Sequence, residues 1–257
     1  MKKMLCLLLA LMLSLSAVSA LAEDLLDTIR TRGYIIVGTE GTYSPNSYYD
    51  ESNKLVGFDV EVAAAIAAKL GVGIEYYVAD WASIIAGMSS GRCDTVINEV
   101  ERTAERELIY DFSVPYTYIH GALLVSGSNT DINSFDDLNG KRAAQNATST
   151  WGMMAESLGC TIVPVTGDAQ TFELIATGRA DCSLNAETAF ADFMAKHPEV
   201  SVRVAARTDT ASSSVVPAPK GNERFIEAVN QAIEELRADG TLAELSIRYF
   251  GGDFTEN

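Results

Sequence analysis

DVEVAAAIAAKLGVGIEYYV, residues 59–78, decides how this chain folds. Val62, Ala63, Ile66, Ala67 and Leu70 recur at helical spacing, which predicts an amphipathic helix with Asp59 as its cap and Gly71 as its stop. Ile74 to Val78 follows at once as a short apolar strand. Upstream, Tyr34-Ile35-Ile36-Val37-Gly38 reads as a second buried strand, and the segment 39–56 as a long polar loop rich in tyrosine. Downstream, Asp80 is placed to cap a helix through Met88 that ends at Gly91, and Thr95-Val96-Ile97 is a third strand. The order is βαβαβ, whose crossover helices imply a parallel sheet covered on both faces.

A second set follows. Leu123-Leu124-Val125 and the segments 142–145, 161–165 and 182–184 read as strands, and 149–158, 171–177 and 187–196 as helices, the last stopped by Pro198. The tail places Phe225, Ile226, Val229, Ile233 and Leu236 on one helical face, then Gly240 and a last helix to Tyr249. Two similar α/β halves suggest two lobes. Open α/β sheets bind ligands beyond the carboxyl ends of their strands, so the cleft between the lobes is the expected site.

The first residues bear on the compartment. Lys2 and Lys3 precede an apolar run from Leu5 to Leu15, and Ala20-Leu21-Ala22 offers small residues where a signal peptidase reads. Cleavage is expected after Ala22, giving a 1–22 signal peptide and an exported, periplasmic protein. Cys6 lies inside the apolar run, so no lipid anchor is expected. Loss of the two lysines takes the formal charge from −16 to −18. That excess of acid disfavours nucleic acid and anionic membranes, which require clustered Lys and Arg. Cys93, Cys160 and Cys182 form no disulfide framework, and the expectation is three buried free thiols, with a Cys160–Cys182 bridge as the alternative. His120 and His197 stand apart from the cysteines, so no metal site is expected, and no cofactor either.

The motifs are more specific. Gly57-Phe58-Asp59-Val60-Glu61-Val62, Ser90-Gly91-Arg92-Cys93-Asp94, Thr103-Ala104-Glu105-Arg106, Asp111-Phe112-Ser113-Val114-Pro115-Tyr116 and Tyr249-Phe250-Gly251-Gly252-Asp253 stand in an order and spacing that resembles the polar amino-acid-binding proteins of ABC importers (solute-binding protein family 3). Val96 to Val100, Ala143-Ala144-Gln145 and Arg179-Ala180-Asp181 resemble the cystine-binding branch in particular. The resemblance implies an α/β, two-lobed periplasmic-binding-protein fold of type II. Each lobe would be a mixed, mostly parallel sheet flanked by helices, with two hinge crossovers that let the lobes close on ligand. Lobe 1 would hold 23–117 and 215–257 and lobe 2 would hold 118–214, with hinges near Tyr118–Gly121 and Ala211–Ser214.

The resemblance also implies site residues. Arg106 falls on the arginine that forks onto the ligand's α-carboxylate, where a planar guanidinium gives two parallel hydrogen bonds. Read from its neighbours alone, it is an exposed arginine pairing with Glu105 or Asp111. Thr148 and Ser149 match the turn opening a lobe 2 helix whose N–H groups meet the same carboxylate. That turn here reads Gln145-Asn146-Ala147-Thr148, with alanine where relatives often have glycine. Tyr43 and Trp81 fall where relatives place aromatic walls, and Glu40 at a position that is acidic in basic-amino-acid binders. Relatives carry an ammonium-binding aspartate where this chain has Ala186. Three replacements are open: Glu187 reaches in, Glu99 takes the ammonium, or the ligand is not a standard α-amino acid. Glu99 and Glu101 are either cleft acids or solvated turn residues, and cleft acids would favour a cationic ligand.

The expected function is capture of a polar or cationic amino acid, cystine included, by a monomer that delivers it to ABC permease subunits rather than by an enzyme. A cyclohexadienyl dehydratase-like enzyme on the same scaffold, with Glu99 or Glu187 as general acid, is the alternative, and an amino-acid sensor the other.

Overall fold

The computed structural model describes residues 24–256, so the expected signal peptide, 1–22, lies outside the described residues. The chain begins with α1 (Leu25–Arg32), capped by Asp24, and enters β1 (Tyr34–Thr39). Segment 39–56 is not one loop. It folds into three short antiparallel strands, β2 (Thr42–Tyr43), β3 (Ser47–Tyr49) and β4 (Leu55–Val56), too short for alternation to show in sequence. Then come α2 (Phe58–Leu70), β5 (Gly73–Val78), α3 (Trp81–Ser89), β6 (Thr95–Val96), the single turn α4 (Ala104–Glu107) and β7 (Tyr110–Phe112). The first sheet has order β5-β1-β6, all parallel, as the βαβαβ pattern requires.

Asp59 does not cap α2. The cap is Gly57, at φ +134°, and the first N–H groups of the helix are taken by loop carbonyls: Phe58 N–H donates to Pro45 O at 3.0 Å and Asp59 N–H to Asn46 O at 3.0 Å. A Cβ at position 57 would stand 2.2 Å from Asn46 O, so only glycine allows this approach. The Asp59 side chain turns inward, where Tyr116 Oη donates to Oδ1 at 2.8 Å and the Glu99 N–H to Oδ2 at 2.8 Å.

The chain crosses at β8 (Thr117–Ile119) into β9 (Gly121–Ser126), β10 (Arg142–Gln145), α5 (Thr150–Ser157), β11 (Thr161–Pro164), α6 (Asp168–Ala176), β12 (Cys182–Ala186), α7 (Glu187–Lys196) and β13 (Val202–Arg207). The second sheet runs β11-β10-β12-β9-β13, parallel around β10 and antiparallel at β9 and β13. The chain returns through β14 (Ser212–Ser214), which pairs antiparallel with β8, so two strands side by side join the sheets. β15 (Pro217–Pro219) pairs with β7, and α8 (Glu223–Ala238) and α9 (Thr241–Phe250) complete the first half. The tail closes over the crossing: Phe254 O accepts from Tyr118 N–H at 2.7 Å and from Thr117 Oγ1 at 2.9 Å.

The apolar residues divide accordingly. Ile29, Ile35, Val37, Phe58 and Ile66 pack with Phe225, Val229 and Ile233 from the tail in one continuous core. Leu123, Leu138 and Leu184 pack on one face of the second sheet, and Leu124, Phe172 and Ile175 on the other. This is a two-lobed α/β fold with both crossings in register. Cys93, Cys160 and Cys182 are all buried free thiols. No helix among the described residues is long and apolar enough to cross a membrane.

Candidate functional site

Both sheets point their carboxyl ends at one cavity. From the first half it is lined by Glu40 and Tyr43 beyond β1, Trp81 at the start of α3, and Asn98 and Glu99 beyond β6. From the second it is lined by Gln145 at the end of β10 and Ser149 beyond it, Thr150 and Trp151 at the start of α5, Asp168 at the start of α6, and Asn185 on β12. The cavity measures about 100 Å³. One water needs about 10–15 Å³ of such space, so there is room for several waters or a small polar ligand.

Two polar clusters fix the first wall. Asn98 is tied on both sides: its Oδ1 accepts from Thr39 Oγ1 at 3.0 Å, from Ser47 Oγ at 2.9 Å and from the Glu40 N–H at 2.9 Å, and its Nδ2 donates to Glu40 Oε2 at 2.9 Å. Glu99 sits in a left-handed conformation, φ +48°, uncommon for a residue with a side chain. The bond from its N–H to Asp59 holds that turn. Tyr43 Oη donates to Glu99 Oε2, while Glu99 Oε1 is buried without a partner. Burial pushes the Glu99 carboxyl up to about 8, with the Asp59 charge adding to it. Burial raises Glu40 to about 7 against the opposing bond from Asn98.

The second wall carries an acid that the sequence did not mark. Asp168 opens α6, which starts three residues earlier than its apolar pattern does. Its Oδ1 accepts from Asn185 Nδ2 at 2.8 Å, and burial raises its carboxyl to about 7. Ala186 is buried, and its N–H donates to Asn185 Oδ1 at 2.8 Å, so the polar work at the end of β12 falls to Asn185.

The other expected site residues lie beside the cavity or away from it. Arg106 is half-buried, stacked over the Trp81 ring at 5.4 Å, with Nη1 donating to Glu101 O at 2.8 Å and Nη2 to Thr148 O at 3.4 Å. Burial lowers its pKa while the Glu101 charge opposes the fall. Thr148 is exposed and its hydroxyl donates to Asn146 Oδ1 at 2.9 Å. Ser149 lines the cavity as the cap of α5, accepting from Gly152 N–H at 3.0 Å. Glu101 stands behind Arg106, raised by burial and held down by the Thr150 hydroxyl and the Arg106 charge. Glu187 does not line the cavity. Its side chain pairs with Arg207 on β13 at 2.7 Å, a strand the sequence reading did not foresee.

The two walls touch. Trp81 Nε1 donates to Thr148 O at 3.3 Å, Tyr43 Oη lies 3.4 Å from Asn185 Oδ1, and Lys196 Nζ donates to Ser44 Oγ at 2.8 Å. Tyr43, Trp81, Glu40, Glu99 and Ser149 are thus brought to one cavity, with Arg106, Thr148 and Glu101 against it.

Known proteins resemble this chain over most of its length. A probable amino-acid ABC transporter-binding protein of Haemophilus influenzae is 38% identical over 235 residues, covering 91% of each chain. The crystal structure of the L-cystine solute receptor of Neisseria gonorrhoeae, in its unliganded open conformation, is 39% identical, covers 91% of this chain and 100% of its own, and superposes with a TM-score of 0.61. An ancestral arginine-binding protein bound to arginine is 33% identical over 86% of this chain and 99% of its own, with a TM-score of 0.80. The higher score goes to the ligand-bound structure, in keeping with walls that touch. The family model for bacterial extracellular solute-binding proteins, family 3, matches residues 35–252, and the chain belongs to that family.

Proposed function

We propose that this protein captures a polar or cationic amino acid between its lobes and delivers it to the permease of an ABC importer. The observation that carries the cationic preference is the lining itself: Glu40, Glu99 and Asp168 supply three carboxylates, and no Lys, Arg or His stands among the lining residues. Arg106 waits beside the cavity for the α-carboxylate, together with the N–H groups that open α5, where a helix start favours an anion. Tyr43 and Trp81 wall the side chain. Cystine, with two ammonium groups, and the basic amino acids both suit this charge distribution. The relatives named for cystine and arginine support the same range.

The lobes are assigned as 23–117 with 215–257, and 118–214. The protein acts as a monomer in the periplasm after cleavage behind Ala22, and it binds without turnover. Its partners are the permease subunits and their ATPase.

A thermal-shift screen of the mature protein against all amino acids, cystine, ornithine and small diamines tests this. At a hundredfold excess over Kd a true ligand stabilises by about 2.7 kcal/mol, a clear shift. A cationic hit, lost on Arg106→Ala and recovered unchanged by mass spectrometry, is expected. Silence from every amino acid, or conversion of the hit, overturns the reading.

A further inference from the structure

We propose that Asp168 is the specificity-determining residue of the cavity, taking a ligand ammonium jointly with Glu99 so that the cation bridges the two walls. The inference rests on the amino-acid reading above and goes further by naming where the positive charge sits.

Four side chains form a chain across the cleft. Tyr43 Oη donates to Glu99 and lies 3.4 Å from Asn185 Oδ1, and Asn185 Nδ2 donates to Asp168 Oδ1 at 2.8 Å. The two carboxylates therefore end one short relay, each with one oxygen engaged. The second oxygen of Glu99 is buried with no partner, and the Asp168 side chain makes no other hydrogen bond among the described residues. An ammonium has three donors and no acceptor, and it is the group that satisfies both free oxygens at once.

The second wall offers no other acid. Its lining otherwise consists of Gln145, Asn146, Asn185, hydroxyl side chains and apolar groups, and the end of β12 is the buried Ala186. A cation held by Glu40 and Glu99 on the first wall faces Asp168 across the same cavity. The negative charge on Asp168 contributes to raising Glu99, and a ligand cation between them removes that repulsion. Tyr43 and Asn185 orient the two acids without supplying charge.

Isothermal titration calorimetry with the mature protein tests this, using L-arginine and L-ornithine as cationic probes, L-cystine as a net-neutral probe with two ammonium groups, and L-glutamine as the neutral one. Asp168→Asn is expected to weaken the best cationic probe at least about tenfold, the usual size for a hydrogen bond to a charged group. Asp168→Glu is expected to recover part of that loss, which a merely structural role would not allow. Because one ammonium contacts both acids, Asp168→Asn with Glu99→Gln should lose less than the product of the single losses. Thermal melts of each variant establish folding. A wild-type cationic hit with Asp168→Asn within about threefold of it overturns the inference, and so do losses that multiply, since they mean two separate subsites. A wild-type protein that binds no amino acid overturns instead the reading on which the inference rests.

Discussion

The two walls of the cleft hold their acids differently. On the first wall, Glu40 is tied to an Asn98 that is itself held by Thr39 and Ser47, and Glu99 is locked into a left-handed turn by Asp59. That wall stands on a continuous core drawn from both ends of the chain. On the second wall, Asp168 leans on one amide side chain at the start of a helix whose cap, Gly167, makes no side-chain bond. The first wall presents acids preset in position. The second presents an acid held by a single side-chain hydrogen bond, and the proposal above puts the choice among cationic ligands there.

The strongest way to break this contrast is Arg106→Ala. Removing the guanidinium held against the cavity should cost the ligand carboxylate about 3–5 kcal/mol, and calorimetry should show affinity falling by more than about a hundredfold. A tenfold loss or less would put the carboxylate elsewhere. Asp59→Ala should come next, as a loss of stability. Two donors, the Glu99 N–H and Tyr116 Oη, would be stranded, costing about 2–3 kcal/mol. A chain of this length should then melt about 4–12 °C lower. Asp168→Asn should leave the ligand-free melting temperature unchanged or raised, because it supports no backbone turn. Equal melting losses in the two variants would erase the distinction between the walls.

pH should separate the ligand-free and bound proteins. Glu40, Asp59 and Asp168 stand at about 7 and Glu99 at about 8, all above their ordinary values. The folded state therefore keeps protons that the unfolded chain gives up above about pH 4. Their contribution is fully present below that pH and is lost as pH rises through 7 to 8. Scanning calorimetry from pH 5 to 8 should show the ligand-free melting temperature falling by several degrees. Affinity for a cationic amino acid should rise over the same interval as the acids ionise. A flat profile for both would mean that these carboxylates are solvated. The smallest effect is expected for Lys196→Ala. It removes a cross-cleft bond from an exposed ammonium, worth under about 1 kcal/mol, and affinity should fall less than about fivefold.

Much of this was legible in the sequence because periodicity is a local signal. The β1-α2-β5-α3-β6 order follows from residues 34–97, and the motif ending in Arg106 points to the cleft. What escaped depended on partners distant in sequence. Asp59 has the composition of a cap, yet the loop carbonyls of Pro45 and Asn46 had already satisfied the helix. Asp168 lay outside the apolar spacing that starts at Thr171, so its helix position was invisible. Glu187 follows the strand that ends in the cleft, but Arg207 on β13 draws it away. Two-residue strands such as β2 and β4 are too short for any alternation to register.

The tail's grip on the crossing has a practical side. Phe254 O is held by Thr117 and Tyr118 at the strand pair that joins the two sheets, so residue 254 would stand close to the pivot of any closure about that pair. A tether to a bead or chip placed there would anchor the molecule with little pull on either lobe. A fluorophore there would stay nearly still while one on α7, near Asp192, swept the full arc. Lobe closure on ligand would thus give the chain a stationary mount and a moving pointer, the two parts needed to convert it into a reagentless optical gauge for that ligand.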